Sequence, residues 1–209
     1  QDAYALQSQQ RTAEAQKQGR FAEEIVPLVA SKQLFDKEGN PTGSQEVTAD
    51  RDECNRADTT LESLQGLKPV WKEGKWVAQG EFITAGNASQ FSDGASAALI
   101  MSRAEAQRRG IAPLGIYRGI AVAGCKPDEM GIGPIYAIPK LLQRFGLSVA
   151  DIDLWEINEA FSVVTQVAMK ELEIPASKVN VHCGAVALVH PIGGSGARER
   201  RGAGHTGSA

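Results

Sequence analysis

His190 lies in the stretch ALVHPIGGSGAR (187–198), and Asn158 lies in WEINEAF (155–161). Each is a polar side chain that follows an apolar run and precedes a turn able to open a helix. In open α/β sheets that edge is where ligands bind, so the two side chains could converge. A neutral imidazole and a carboxamide can together donate hydrogen bonds to an oxygen that becomes negative during a reaction. Each also has an ordinary role. An Asn at such a junction caps a helix, and a lone His satisfies backbone groups. Pro191 restricts His190 to extended backbone and stiffens its presentation.

Two more loops bear on chemistry. TAGNASQFSDG (84–94) sets Gly86, Asn87, Ser89, Ser92 and Asp93 between apolar segments, a loop that can approach a ligand closely or simply turn. DEMGIGP (128–134) offers Met130 as a flexible apolar surface beside two glycines. His182, Cys183 and His190 lie close in sequence, but adjacent residues on an extended strand point to opposite faces. No Cys-x-x-Cys pair or nearby carboxylate completes a four-ligand shell, so no metal is expected.

The elements that must position these residues follow from period and punctuation. Residues 1–19 predict a polar helix rich in Ala and Gln, ending near Gly19. Residues 20–80 predict a loop-rich subdomain with short strands, a turn at Glu38-Gly39-Asn40-Pro41, and a helix near Thr60–Gly66. Ser102 and Glu105 have the spacing of a capping box, and Gly110 ends that helix. Pro134 opens the next one, with Ile135, Ile138, Leu142 and Phe145 on one face. Phe161, Val164, Ala168 and Leu172 mark another. GIYRGIAVAG (115–124), DIDLWEI (151–157) and VNVHCGAVALV (179–189) predict strands, with Val186–Val189 buried. Strands alternating with helices over 81–198 indicate a layered α/β domain.

Composition narrows the class. A chain of 209 residues, 42% hydrophobic and 22% charged, is ordinary for a soluble globular protein of one large or two small domains. A net charge of −3 gives no sign of a nucleic-acid or polybasic membrane surface. Cys54, Cys125 and Cys183 are odd in number and widely spaced, which argues for a reducing compartment without a disulfide framework. No apolar run approaches the roughly 18 residues of a membrane span.

Together the loops resemble the thiolase family from residue 1 to about residue 198. The likeness is carried by NEAF (158–161), GAVALVHPIGGSGAR (184–198), TAGNAS (84–89) followed by DGASAALIMS, and MGIGP (130–134). QDAYALQSQQRTAEAQKQGRFAEEIVP (1–27) is also similar to the family's helix leading into its loop domain. QFS (90–92) departs from the commoner GxN and resembles a bacterial acetyl-CoA acetyltransferase-like branch.

The resemblance implies an α/β/α/β/α layered fold, here partial. Residues 1–80 would close the N-terminal half and form the loop subdomain, 81–198 would form an incomplete C-terminal half, and 199–209 an irregular tail. It implies an acyltransferase that makes or breaks the carbon–carbon bond of 3-oxoacyl-CoA. The CoA thioester would be its substrate and no cofactor would be needed. Homodimers or homotetramers would form without nucleic acid or membrane, in the cytoplasm, or in mitochondria or peroxisomes if the source is eukaryotic.

His190 would match the catalytic histidine that donates to the thioester oxygen, and Asn158 would hold the water that is the second donor. Ser89 would lie against the pantetheine arm, Met130 and Phe161 beside the acyl group, and Arg56 near the adenine. The nucleophilic and the acid/base cysteines of the family match none of the three present, so the chain reads as a fragment. The alternative is a non-catalytic acyl-CoA-binding protein. Val189 stands where the family usually has Gly, and His182 and Cys183 where it has Asn and Gly. If that Gly needs a positive φ, Val189 is strained.

Overall fold

The structure is a computed structural model that describes residues 1–75 and 77–198. Trp76 and the tail expected at 199–209 lie outside the described residues.

Helix α1 spans Asp2–Lys17 and buries Tyr4, Ala5, Ser8, Gln9, Thr12 and Ala15. Their spacing of three and four puts them on one face. The helix is polar, as its composition predicts, yet this face is interior and its side chains act as hydrogen-bonding struts. Arg11 donates to the carbonyls of Val179 (2.8 Å) and Asn180 (3.2 Å). Gln9 receives the Arg56 backbone N–H at 2.8 Å and donates to the Val186 carbonyl at 3.4 Å.

Strands β1 (Leu28–Phe35) and β2 (Pro41–Ala49) form an antiparallel hairpin in the register Leu28↔Ala49. The turn falls where Gly and Asn predict it: Asp36 accepts from the backbone of Glu38 and Asn40, and Gly39 takes φ +86°. Helix α2 (Leu61–Gln65) begins at Thr60, which exchanges side-chain and backbone hydrogen bonds with Ser63. Helix α3 (Arg103–Arg109) begins at Ser102, whose hydroxyl accepts from the Glu105 N–H. The second half of the expected box is absent among the described contacts, because Glu105 turns to Arg108 and Arg109 instead. Gly110 closes this helix in the left-handed conformation, φ +66°.

Helix α4 (Gly133–Phe145) and helix α5 (Ser162–Glu171) pack together. Ile157, Ala168, Ile174 and Val179 form a core cluster, with Ile138, Trp155 and Leu172 against it. Met130 sits on a 3-10 turn over Pro127–Ile132 that also contacts α5. Helix α6 (Ala185–Leu188) is fully buried, and a further helical stretch covers 192–198.

The strands expected after residue 81 are corrected by the structure. The only ladder among the described residues is the β1–β2 hairpin. Residues 151–157 and 179–189 retain a single parallel bridge, Trp155↔Val179, and 115–124 pairs with nothing as a strand. A strand exists only by virtue of a neighbour, and these segments lack one on most of their length. Val186–Val189 is not a strand: a four-residue apolar run is equally compatible with a buried helical turn, which is what Ala185–Leu188 adopts. Leu99 and Leu114, also on backbone that forms no ladder, are 82% and 90% exposed.

Candidate functional site

The site begins with two extended segments, 155–159 and 178–180. Trp155 N–H donates to the Lys178 carbonyl at 2.8 Å, and Asn180 N–H donates to the Trp155 carbonyl at 2.9 Å. The pairing is then continued by a side chain. Asn180 accepts from Ile157 N–H and donates to the Ile157 carbonyl, both at 2.8 Å, so its amide imitates a strand neighbour. Asn180 has φ +46°, a left-handed value that Asn tolerates better than most residues.

This fixes the alternation of residues 157–159. Ile157 and Glu159 point inward and are buried at 6% and 1% exposure. Asn158 therefore points to the other side. There its Nδ2 lies 2.9 Å from Nδ1 of His190. Asn158 is not the cap of α5; that position is Phe161, without a side-chain cap bond.

Glu159 is the anchor beneath. Its carboxylate accepts from Tyr4 Oη (2.7 Å), Ser8 Oγ (2.8 Å), Asn180 Nδ2 (3.0 Å) and the Val186 backbone N–H (3.1 Å). Four donors, from α1, the 180 segment and α6, thus converge on one buried acid. Gly184 makes room for it, since a Cβ there would lie 2.0 Å from Glu159 Oε2. Burial foremost, and then the neighbouring Glu159 charge, push the Tyr4 hydroxyl above its ordinary range.

His190 is delivered by the end of α6. Val189 has φ +72° and ψ 167°, a region essentially restricted to Gly. The strain expected of a valine here is present. Arg198 closes the loop behind it, donating to the carbonyls of Leu188 (2.8 Å) and Val189 (2.5 Å). These are carbonyls left without partners at a helix end. Ser195 Oγ lies 2.7 Å from His190 Nδ1.

The glycine-bearing loops close around this turn. Ala95 bridges Gly193 in parallel, and Ser96 donates to the Gly193 carbonyl at 2.8 Å. A Cβ on Gly193 would clash with the Gly94 carbonyl oxygen, so the two segments meet through bare backbone. Asn87, 1% exposed, ties the 84–89 loop to α1 by donating to Asp2 and to α5 by accepting from Ser162 N–H.

Of the expected site residues, Asn158 and His190 are in direct contact. Ser89 and Phe161 are brought together: Ser89 N–H donates to the Ala160 carbonyl at 3.0 Å, and Ala88 bridges Phe161. Met130 is 63% exposed on the turn against α5. Arg56 is exposed, and what holds it is its backbone N–H on Gln9 rather than its guanidinium. Glu159, Ser195, Arg198 and Gly184 were not singled out from sequence. NEAF and GSGAR contain the first three; Tyr4 and Ser8, which hold Glu159, lie far along the chain, while Ser195 and Arg198 bond residues close by in sequence and so look like ordinary turn residues.

Among the described residues no group of three or more His, Cys, Asp or Glu could hold a metal. Cys183 lines a small cavity with Glu156, Ile157, Asn180 and Arg198. Burial first, then the Glu156 charge, push its thiol up to about 12. It is protonated at neutral pH and therefore a poor nucleophile.

The family model for the thiolase N-terminal domain matches residues 1–104, and that for the thiolase C-terminal domain matches residues 111–204. The chain is 49% identical over 199 residues to peroxisomal 3-ketoacyl-CoA thiolase B of Rattus norvegicus, covering 95% of this chain and 44% of that protein. It superposes on the acetyl-CoA acetyltransferase of Bacillus anthracis with a TM-score of 0.83 and 39% identity, over 98% of this chain and 48% of the other. Human mitochondrial 3-ketoacyl-CoA thiolase in complex with CoA gives a TM-score of 0.77 at 37% identity, over 98% and 47%. The chain spans about half the length of these relatives, and its mixed helix-and-strand fold is a partial thiolase-like α/β fold. On two matching domain models, close sequence relatives and shared structure, the chain belongs to the thiolase family.

Proposed function

We propose that this chain carries the carbonyl-activating part of an acyltransferase that makes or cleaves the carbon–carbon bond of 3-oxoacyl-CoA. The observation that carries the reading is the 2.9 Å contact between Asn158 and His190 at one rim of the fold. In cleavage, the C2–C3 bond breaks and its electron pair passes into an enolate on the departing acetyl-CoA. The enolate oxygen gains charge that the thioester carbonyl did not have. Donors fixed in advance at that oxygen stabilise the enolate more than the ground state, which is what accelerates the step. His190 supplies one donor. Asn158 supports the imidazole directly; a second role, holding a water on the same oxygen, is compatible with its amide having more than one bonding group.

Ser89, Met130 and Phe161 are proposed to contact the pantetheine arm and acyl group, and Arg56 the adenine end. The linkage of Ser89 to the Ala160–Phe161 backbone supports this. The acyl group that remains after cleavage needs a thiol carrier, a role this reading assigns to none of Cys54, Cys125 and Cys183. No cofactor enters the chemistry. Homodimeric or homotetrameric assembly and a cytoplasmic setting complete the proposal; the free state of all three cysteines supports a reducing compartment. No helix of the described residues is long and apolar enough to cross a membrane.

A second reading is an acyl-CoA-binding protein without turnover, which needs no thiol carrier among Cys54, Cys125 and Cys183. One comparison separates the two. Acetyl-CoA and S-ethyl-CoA share the same carbon and CoA skeleton, but S-ethyl-CoA has a methylene where acetyl-CoA has the carbonyl. The activating role requires the chain to bind acetyl-CoA more tightly than S-ethyl-CoA, by a factor of about 10 for one well-placed bond. His190→Ala should abolish that preference. Equal affinities would support passive binding, and binding of neither would defeat both readings.

A further inference from the structure

His190 meets two groups at a single nitrogen. Asn158 Nδ2 is 2.9 Å from Nδ1, and Ser195 Oγ is 2.7 Å from the same atom. An amide nitrogen has only hydrogens to offer, so toward Asn158 the ring nitrogen must accept. A hydroxyl can donate or accept. Ser195 Oγ also lies 3.1 Å from the Pro191 carbonyl oxygen. That oxygen already accepts from the backbone N–H groups of Gly194 (2.8 Å) and Ser195 (2.9 Å). Both of its lone pairs are engaged. A ring nitrogen that accepts from the Asn158 amide has no proton to give, so at the 2.7 Å contact, shorter than the 3.1 Å to the carbonyl, the hydroxyl donates and shares the Nδ1 lone pair with that amide.

We propose that Ser195 is a positioning residue that, with Asn158, holds His190 in the tautomer protonated at Nε2. An imidazole whose Nδ1 accepts carries its proton on the other nitrogen. This deepens the carbonyl-activating role of His190 and rests on it. A ring protonated at Nδ1 would turn a lone pair toward a substrate oxygen through Nε2 and repel it. Ser195 is held firmly enough to act this way, because it is 3% exposed and its backbone is bonded to Pro191 within the same turn. Gly193 and Gly94 meet beside this turn through backbone alone. The glycine-rich stretch thus places a hydroxyl on the back of the ring.

The test is the tautomer itself, read from two-bond 15N–1H couplings in the full chain labelled at histidine, at about pH 8 where an ordinary imidazole is neutral. The His190 signal is assigned by its loss in His190→Gln. The expected result is protonation at Nε2 in the parent, a mixture of tautomers in Ser195→Ala, and return to Nε2 in Ser195→Thr. Asn158→Asp replaces a donor by an acceptor and should move the proton to Nδ1. A parent protonated at Nδ1 overturns the proposal without any variant, and so does a Ser195→Ala ring that stays wholly at Nε2 in a chain whose near-UV dichroism is native. An Nε2 tautomer in a chain that binds acetyl-CoA no better than S-ethyl-CoA would uphold the positioning by Ser195 and remove the carbonyl role of His190.

Discussion

Tyr4, on the first helix, donates its hydroxyl at 2.7 Å to Glu159, a residue 155 positions away. The acid thereby pins α1 to the segment that presents Asn158. Its other donors extend the link to Asn180 and to the start of α6, which delivers His190. Glu159→Ala would take an acceptor from four buried donors, of which Asn180 keeps the Ile157 carbonyl while Tyr4, Ser8 and the Val186 N–H lose their bond, each loss worth about 1–3 kcal/mol before relaxation and water entry. The expected net loss is on the order of 3–5 kcal/mol, read as a shift in urea midpoint. Glu159→Gln should cost less, because one carbonyl oxygen is kept. Equal midpoints for all three chains would remove Glu159 from the account.

Val189 is held at φ +72°, ψ 167°. Such a conformation costs a non-glycine residue about 1–3 kcal/mol. Val189→Gly relieves it, less about 0.5–1 kcal/mol of added chain entropy. The melting temperature should rise by a few degrees, at about 2–4 °C per kcal/mol. A fall would mean that side-chain packing outweighs the strain.

Two weak acids, the buried Tyr4 and the half-buried Cys183, make stability fall in alkali. The Cys183 thiol, ordinarily near 9.0, is pushed up to about 12, and Tyr4 is raised from 10.0. At neutral pH and below both stay protonated whether the chain is folded or not. As pH rises from about 9 toward 12, the unfolded chain releases protons that the folded chain keeps, so stability falls, by at most about 1.4 kcal/mol per pH unit per group. Urea midpoints between pH 8 and 11 measure this decline. Cys183→Ala should flatten it, and an unchanged slope would contradict the cause.

The sequence made the polar residues of the rim legible and left their supports hidden. His190 and Asn158 interrupt apolar runs beside Pro and Gly, a local signal. Glu159 is equally close to hand in NEAF, but an acid on paper is a surface residue unless its donors are known, and Tyr4, Ser8 and Asn180 come from both ends of the chain. Ser195 reads as a turn residue until its hydroxyl is seen behind the ring. Helices with caps and stops, such as those at Ser102 and Gly146, follow from neighbours in sequence. The strands after residue 81 do not, because pairing is a property of two segments. The helical turn at Ala185–Leu188 shows that a short apolar run alone cannot choose between the two.

Unpaired apolar segments carry their own expectation. Leu99 and Leu114 are 82% and 90% exposed on backbone that forms no ladder. The chain should bind a hydrophobic dye and aggregate as its concentration rises. Replacing both residues by Lys should reduce dye binding while changing stability by less than about 0.5 kcal/mol each, the usual range for surface substitutions. Unchanged dye binding would shift attention from these segments.

The direct measurement is infrared difference spectroscopy of acetyl-CoA labelled with 13C at the thioester carbonyl, bound at saturation. Donors at that oxygen lengthen the bond, so the carbonyl band should move to lower frequency in the parent chain and return toward its solution position in His190→Ala, with Asn158→Ala between them. A carbonyl band that does not move in the saturated parent complex would contradict the role assigned to His190 and Asn158.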